Sequence, residues 1–143
     1  MQNYKNHIRF YAPHHFVFYP VMLLLIIISV RGIWQHPENR GEYILLSALA
    51  ITVTWLSFMT RQHYALTVQN RLVRMEMRWR YHLLTGKRLE ELEPKLSFGQ
   101  IAALRFASDA ELPALTLRAM EENLSPDAIK QQIVHWVADD MRV

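Results

Sequence analysis

Cysteine is absent from this chain of 143 residues. Without a thiol the protein can form neither a disulfide nor a thiolate-ligated metal site. Glycine and proline are scarce, and neither occurs between Glu42 and Gly86. Because this stretch contains no helix breaker, we predict one continuous helix from about Tyr43 to Leu84.

Charged residues are missing from two long stretches. Residues 10–30 and 43–60 contain no Asp, Glu, Lys or Arg. A helix needs about 20 predominantly apolar residues, within a range of roughly 17–25, to cross the hydrocarbon of a bilayer. The sequence therefore predicts two transmembrane helices, at about 16–33 and 43–60.

The connection between the two predicted spans is short. It contains Gly32, Pro37, Asn39 and Gly41, which are turn-forming residues. A connection of this length makes the two helices antiparallel neighbours. The first stretch is followed by Arg31 and not by a small-residue cleavage site, so we interpret it as a retained span and not as a signal peptide.

Small side chains recur on one face of the second predicted span. They are Ser47, Ala50, Thr54 and Ser57, at spacings of three and four residues. Small residues allow helices to approach closely in lipid, and hydroxyls can form hydrogen bonds across the contact. This face packs either on the first span or on another protein. The first interpretation is favoured because a hairpin must pack internally before it binds a partner.

The distribution of basic residues predicts the orientation. One side of the two spans carries Lys5, Arg9, Arg61, Arg71, Arg74, Arg78 and Arg80, and the other side carries Arg31 and Arg40. Basic residues accumulate on the cytoplasmic side of membrane proteins. Both termini are therefore predicted to be cytoplasmic.

The N-terminal segment, residues 1–15, is polar and aromatic. Pro13 disfavours a helix that continues from this segment into the first span. Aromatic side chains are enriched at membrane interfaces. We therefore expect an interfacial segment, with Tyr4, Phe10, Tyr11 and Phe16 close to the lipid headgroups.

Residues 61–88 form a basic segment that we call the neck. It holds seven Lys and Arg residues and one acidic residue, Glu76. Each basic residue near an anionic membrane surface contributes about 1 kcal/mol to binding. We expect contacts with anionic lipid headgroups from Arg61, Arg71, Arg74, Arg78 and Arg80.

An apolar stripe runs along the neck. Val68, Leu72, Met75, Trp79 and Leu83 follow one another at spacings of four, three, four and four residues, which is typical of one face of a helix. We expect this stripe to be covered by the C-terminal part of the chain. The predicted packing contacts are Leu72, Met75, Trp79 and Trp136.

Residues 89–143 are acidic, with ten Asp and Glu against five Lys and Arg. Gly86 is a plausible helix stop. Three short helices are predicted to start after Ser97, Ser108 and Ser125, because each serine fits an N-cap pattern. Pro113 lies past the first-turn positions of the second helix, so the alternative is a start nearer Glu111. The third helix would present Ile129, Ile133, Trp136 and Val137 on one face.

The fold class predicted from these features is an all-α membrane protein. It consists of a two-helix transmembrane hairpin, a second helix extended into the cytoplasm, and a small bundle of short helices. The C-terminal 55 or so residues would form only a marginal core alone, so we expect them to pack on the neck.

The sequence offers little support for catalysis or transport. It has no G-x-x-x-x-G-K-[ST] loop to bind phosphates and no H-E-x-x-H pair to bind zinc. Neither charge-free stretch contains a carboxylate, which proton and ion relays usually need. We therefore expect no catalytic residue and no metal site.

His15 and His63 are the one histidine pair with a possible cofactor role. Both lie at the predicted cytoplasmic end of the hairpin, and two imidazoles can ligate a haem iron. The simpler interpretation is that they are interfacial histidines, because two helices alone barely form a haem pocket. The favoured expectation is that the protein binds no cofactor.

Four segments carry a resemblance to a known family. They are QNYKNH near the N-terminus, RLVRMEMRWRYHLLTG in the neck, RFASDAELPAL, and the C-terminal WVADDMRV. Together they resemble a family of small two-pass membrane proteins that is common in Bacteroidota and catalogued as a domain of unknown function. The resemblance implies a bacterial inner-membrane protein and assigns no functional residue.

These features favour a non-catalytic accessory or adaptor subunit of a larger membrane protein complex, with other membrane proteins and anionic lipids as partners. The alternatives are a haem-bearing electron-transfer subunit, a self-assembling membrane scaffold that forms homo-oligomers, and a membrane protein whose neck contacts ribosomal RNA. Nucleic acid is the weakest of these, because only Trp79 and Tyr81 are available in the neck for base stacking.

Overall fold

The computed structural model describes residues 2–7 and 11–139, and this part of the chain is helical with no β-strand. The predicted all-α class is confirmed. The described residues divide into two compact units. One comprises residues 11–67, the hairpin unit, and the other comprises residues 2–7 and 68–139, the head unit. These boundaries differ from the predicted segments 1–15 and 61–88.

Two long apolar helical stretches follow one another in the chain. The first runs over Pro13–Gln35 and consists of the π-helical segment Pro13–Phe18 and helix α1, Tyr19–Gln35. It begins at Pro13, three residues before the predicted start, because a proline in the first helical turn loses no hydrogen bond. The second stretch runs without interruption over Pro37–Thr85, as the absence of a breaker predicted.

The second stretch contains two α-helices. Helix α2 is Arg40–Met59, the π-helical segment Thr60–Ala65 follows it, and helix α3 is Leu66–Thr85. Gly86 ends α3 with a positive φ of 69°, and its N–H donates a hydrogen bond to the carbonyl oxygen of His82. Only glycine adopts this backbone conformation without strain, so the predicted helix stop is confirmed.

Helices α1 and α2 pack against each other through small residues. The Ser47 hydroxyl donates a hydrogen bond of 2.9 Å to the Ser29 hydroxyl. Nearer the connection, a Cβ atom on Gly32 would overlap the ring of Tyr43. Since later residues of α1 meet earlier residues of α2, the two helices are antiparallel.

The small-residue face of α2 takes part in this packing. Ser47 and Ala50 are buried, and Thr54 and Ser57 are half-buried. The hydrogen bond from Ser47 to Ser29 shows that this face meets α1. This contact and the burial of Ala50 agree with the favoured interpretation for the Ser47–Ala50 part of the face.

The head unit contains three short helices besides α3. They are α4, Phe98–Leu104, α5, Leu112–Glu121, and α6, Pro126–Gln132. Short 3-10 turns at Leu89–Glu91 and Glu93–Lys95 lead into α4.

The helix starts follow the predicted N-cap chemistry. Ser97 and Gln100 form a capping box at the start of α4. Ser125 caps α6 by accepting a hydrogen bond from the backbone N–H of Ala128. The second helix starts after Glu111, which is the alternative that Pro113 indicated. The carboxylate of Glu111 accepts a hydrogen bond from the Ser108 hydroxyl at 2.7 Å.

The last helix is shorter than predicted. Helix α6 ends at Gln132 and Ile133 is extended, so Trp136 and Val137 do not lie on a helical face with Ile129. The Val137 N–H donates a hydrogen bond of 2.8 Å to the carbonyl oxygen of Phe106. A continued helix would leave that carbonyl without this partner, which explains the change to extended structure.

The prediction for the apolar stripe was wrong. Leu72, Met75 and Trp79 are 58%, 61% and 66% exposed. The core instead contains Met77 and Tyr81, which lie on the other side of α3 and are 1% and 3% exposed. Trp136 stacks on Phe106, with ring centroids 4.5 Å apart.

The reason is that α3 has apolar residues on two faces. The face of Met77 and Tyr81 is flanked by Arg74, Arg78 and Arg80, and these arginines bind acidic and carbonyl groups of the head. At the edges of the stripe, Arg71 and Glu76 form no ion pair with another described residue. Charge pairing therefore selects which face of α3 the short helices cover.

Replacement of Met77 by alanine tests this assignment. Met77→Ala should lower the free energy of unfolding by about 2–5 kcal/mol, because a buried methionine leaves a cavity. Val134→Ala is the control and should change it by less than about 0.5 kcal/mol, because Val134 is 78% exposed and lies outside both the core and the apolar stripe. Denaturant unfolding of the full-length protein in detergent measures both. Equal effects of the two substitutions would contradict the assignment.

Candidate interaction surface

Glu93 is the centre of an ion-pair cluster between α3 and the turn that precedes α4. Arg78 donates two hydrogen bonds of 2.6 Å to its two carboxylate oxygens, and Arg74 donates a third at 3.1 Å. The Glu93 side chain is only 10% exposed. The hydrogen bonds from Arg78 lower the pKa of Glu93 and raise the pKa of Arg78.

Arg80 holds the loop between α4 and α5 against α3. Its guanidinium donates hydrogen bonds to the Asp109 carboxylate at 2.6 Å, to the Arg105 carbonyl at 3.0 Å and to the Ala107 carbonyl at 2.6 Å. The Arg80 side chain thus donates hydrogen bonds to two backbone carbonyls in this loop, where no regular secondary structure supplies a donor.

Four of the five arginines predicted to contact lipid headgroups have partners within the chain. Arg74, Arg78 and Arg80 bind groups within the head unit, and Arg61 lies 2.8 Å from the Nε2 atom of His15 in the hairpin unit. The cause is the opposite charge of the neck and the head, which lets them neutralise each other. Arg71 is exposed and has no ion-pair partner among the described residues.

The geometry at His15 does not favour a haem ligand. The Nη1 atom of Arg61 can only donate, so Nε2 of His15 accepts and Nδ1 donates to the Tyr11 carbonyl at 3.1 Å. Both ring nitrogens are therefore engaged. His63 is exposed. Among the described residues, no group of three or more His, Asp and Glu is arranged to hold a metal ion.

The N-terminal segment packs within the head unit, which sequence reasoning missed. The Gln2 side-chain oxygen accepts a hydrogen bond of 2.7 Å from the Asp139 N–H. The Tyr4 hydroxyl accepts one from Gln131, and the His7 ring lies 5.8 Å from that of Trp136. No local pattern signals these contacts, because the partners are more than 120 residues apart. The predicted interfacial residue Phe10 lies outside the described residues.

The largest uncovered apolar surface on α3 is the stripe itself. We call it the α3 stripe, and its members are Val68, Leu72, Met75, Trp79 and Leu83. All five side chains are more than half exposed. Two open grooves adjoin the stripe, with volumes of about 830 Å³ and 610 Å³. Met75 lines both grooves, so the stripe is a ridge between two depressions.

Opposite charges flank this ridge. Arg71 lies on one side of the α3 stripe and Glu76 on the other, as the 100° rotation per helical residue requires. Both are exposed, and neither forms an ion pair with another described residue. The surface is therefore an apolar ridge with a basic edge and an acidic edge, which suits binding to a complementary helix.

The sequence of residues 1–143 matches one family, a family of unknown function designated DUF6526. The chain is a DUF6526 protein. The predicted membership in a family of unknown function is thereby confirmed. No curated protein and no solved structure matches it. The membership assigns no chemistry to any residue.

Acidification should destabilise the head unit through Glu93. Because its pKa is lowered in the folded protein, its contribution to stability is present above the ordinary pKa of 4.5 and is lost as the pH falls through the folded value. Glu93→Gln should remove about 1–3 kcal/mol at pH 7, the usual contribution of hydrogen bonds to a charged group, and should weaken the pH dependence below 4.5.

Unfolding free energies measured from pH 7 to pH 3 test this prediction. Glu122→Gln is the control, because Glu122 forms only an exposed pair with Arg118 at 3.4 Å. It should cost less than about 0.5 kcal/mol. A pH profile that is the same for wild type and Glu93→Gln would rule out this role of Glu93.

Proposed function

We propose that this DUF6526 protein is a non-catalytic accessory subunit of a larger membrane protein complex. Its hairpin unit would be inserted in the bacterial inner membrane, and its head unit would act in the cytoplasm as an adaptor. The proposal includes the bacterial source that the family resemblance implies.

The observation that carries this proposal is the exposure of the two apolar helices. In the most apolar 18-residue windows of Pro13–Gln35 and Pro37–Thr85, only 17% and 11% of the residues are buried. A core helix of a water-soluble protein would be mostly buried. Each exposed Å² of apolar surface costs about 25 cal/mol in water. A lipid environment removes this cost, which supports insertion.

The polar groups of the hairpin also suit a lipid environment. The hydroxyls of Ser29, Thr52 and Thr54 donate hydrogen bonds to carbonyls of their own helices, and Ser47 bonds to Ser29. Hydroxyl groups in hydrocarbon need such partners. The hairpin contributes no charged side chain to a transport path, since residues 43–60 and 11–30 carry none. Anchoring is the role that fits this composition.

The head unit supports an adaptor role. It has its own buried core around Met77 and Tyr81, and it presents the exposed α3 stripe. The competing haem and ribosomal RNA hypotheses lose support, because His15 is bound by Arg61 and because Arg74, Arg78 and Arg80 are engaged within the head unit.

Topology is the first test of the proposal. With seven Lys and Arg flanking one side of the spans and two flanking the other, both termini should be cytoplasmic. A reporter enzyme that is active only in the cytoplasm should be active when fused to the C-terminus and inactive when inserted within residues 37–41. A periplasmic C-terminus would contradict the predicted orientation, and extraction of the protein by alkaline carbonate would contradict insertion.

The accessory role has a separate test. The full-length protein, tagged and expressed at its natural level, should leave the membrane in a mild detergent as a particle that contains a second membrane protein at a fixed ratio. Native mass determination measures the ratio, and an unrelated two-span protein with the same tag is the control. A particle made only of this chain would refute the accessory role.

A further inference from the structure

We propose that the α3 stripe is the interface of a parallel homodimer, in which the α3 helices of two copies cover each other's stripes. This inference rests on the proposed function in one respect, since insertion in the same membrane brings copies of the chain together. The remaining arguments come from α3 itself.

The apolar pattern of α3 is that of a short coiled coil. In two-stranded coiled coils the apolar positions a and d alternate at spacings of three and four residues. Val68, Leu72, Met75 and Trp79 take the positions d, a, d and a. The head core covers the other side of α3 through Met77, so this seam is left for a second molecule.

Charge complementarity identifies that molecule as a second copy. Arg71 immediately precedes Leu72 and takes position g, and Glu76 follows Met75 and takes position e. In a parallel pair, a residue at g faces the residue five positions further along on the partner helix, at e. Arg71 of one copy therefore faces Glu76 of the other, and the twofold axis produces this pair twice.

An antiparallel pair does not have this complementarity. There, g positions face g positions, so Arg71 would meet arginines, and Glu76 would lose its basic partner. Arg71 and Glu76 form no ion pair with other described residues, so both remain available to the second copy. The charges thus favour the parallel arrangement.

A membrane surface is the less favourable occupant. Helices that lie on anionic lipids carry Lys and Arg along the polar face beside their apolar face. Here one edge of the stripe is acidic at Glu76, and Arg74 and Arg78 are already bound to Glu93. A lipid surface would leave Glu76 next to like charge, whereas a second copy supplies Arg71.

Site-specific crosslinking tests the interface. Because the chain contains no natural cysteine, only the introduced residue can form a disulfide. In the full-length protein in native membranes, Leu72→Cys and Met75→Cys should each form a disulfide-linked dimer under mild oxidation, because facing a and d positions bring the two Cβ atoms close. Asn70→Cys is the control. Asn70 is exposed but points about 200° away from Leu72 around the helix.

Charge exchange tests the parallel orientation. In the Met75→Cys background, Arg71→Glu should lower the initial rate of dimer formation roughly tenfold, because two attractive pairs become repulsive. Glu76→Arg should have a similar effect. The double variant Arg71→Glu, Glu76→Arg should recover the rate to within about twofold, since it restores both pairs with exchanged signs.

Three outcomes would overturn the inference. They are the absence of crosslinks from both stripe cysteines, crosslinking of Asn70→Cys as fast as Met75→Cys, and faster crosslinking on Arg71→Glu, which would indicate an antiparallel pair. Failure here leaves the accessory role intact if the native particle contains a second protein. Conversely, stripe crosslinks in a particle made only of this chain would support the dimer and refute the accessory role.

Discussion

The burial of Met77 and Tyr81 in the head core is the contact on which the head unit depends. The surrounding helices α4, α5 and α6 have seven, ten and seven residues. Isolated helices shorter than about 12 residues are marginal in water, so these three need a template to pack against. Helix α3 provides part of it, because Met77 and Tyr81 belong to the same buried core as residues of α4, α5 and α6.

The ion pairs of the arginines on α3 determine which face of this helix packs in the head core. Glu93 is nearly buried and binds Arg78 and Arg74, while Arg80 holds the loop after α4 through Asp109 and backbone carbonyls. A buried carboxylate without such partners would be costly. The arginines therefore fix which face of α3 is covered. The opposite face of α3 stays apolar and exposed. Binding of a partner would account for this exposure.

The hairpin unit is stabilised by close packing of small residues between its two helices. Helices α1 and α2 approach closely where Gly32 admits the ring of Tyr43, and the hydroxyls of Ser29 and Ser47 bond across the contact. Bulky apolar side chains point outward and account for the large exposed apolar surface. This arrangement of small residues inside and large ones outside is the reverse of a water-soluble helix pair and is favourable in lipid.

The sequence by itself determined the elements that depend on local chemistry. Breaker-free length predicted the continuous helix to Thr85, Gly86 predicted its end, and the N-cap serines Ser97 and Ser125 predicted two of the short helices. The caps and the helix stop act within four or five residues, and the breaker-free stretch is a property of consecutive residues, so each can be read without the fold.

Only the tertiary structure decided the choice between the two apolar faces of α3 and the internal use of its arginines. It also decided the docking of Gln2 beside Asp139. Those outcomes depend on contacts between residues that are distant in the chain. The periodicity of a sequence shows which helix faces are apolar. Which of these faces becomes buried depends on the combined free energy of packing and charge pairing in the folded protein.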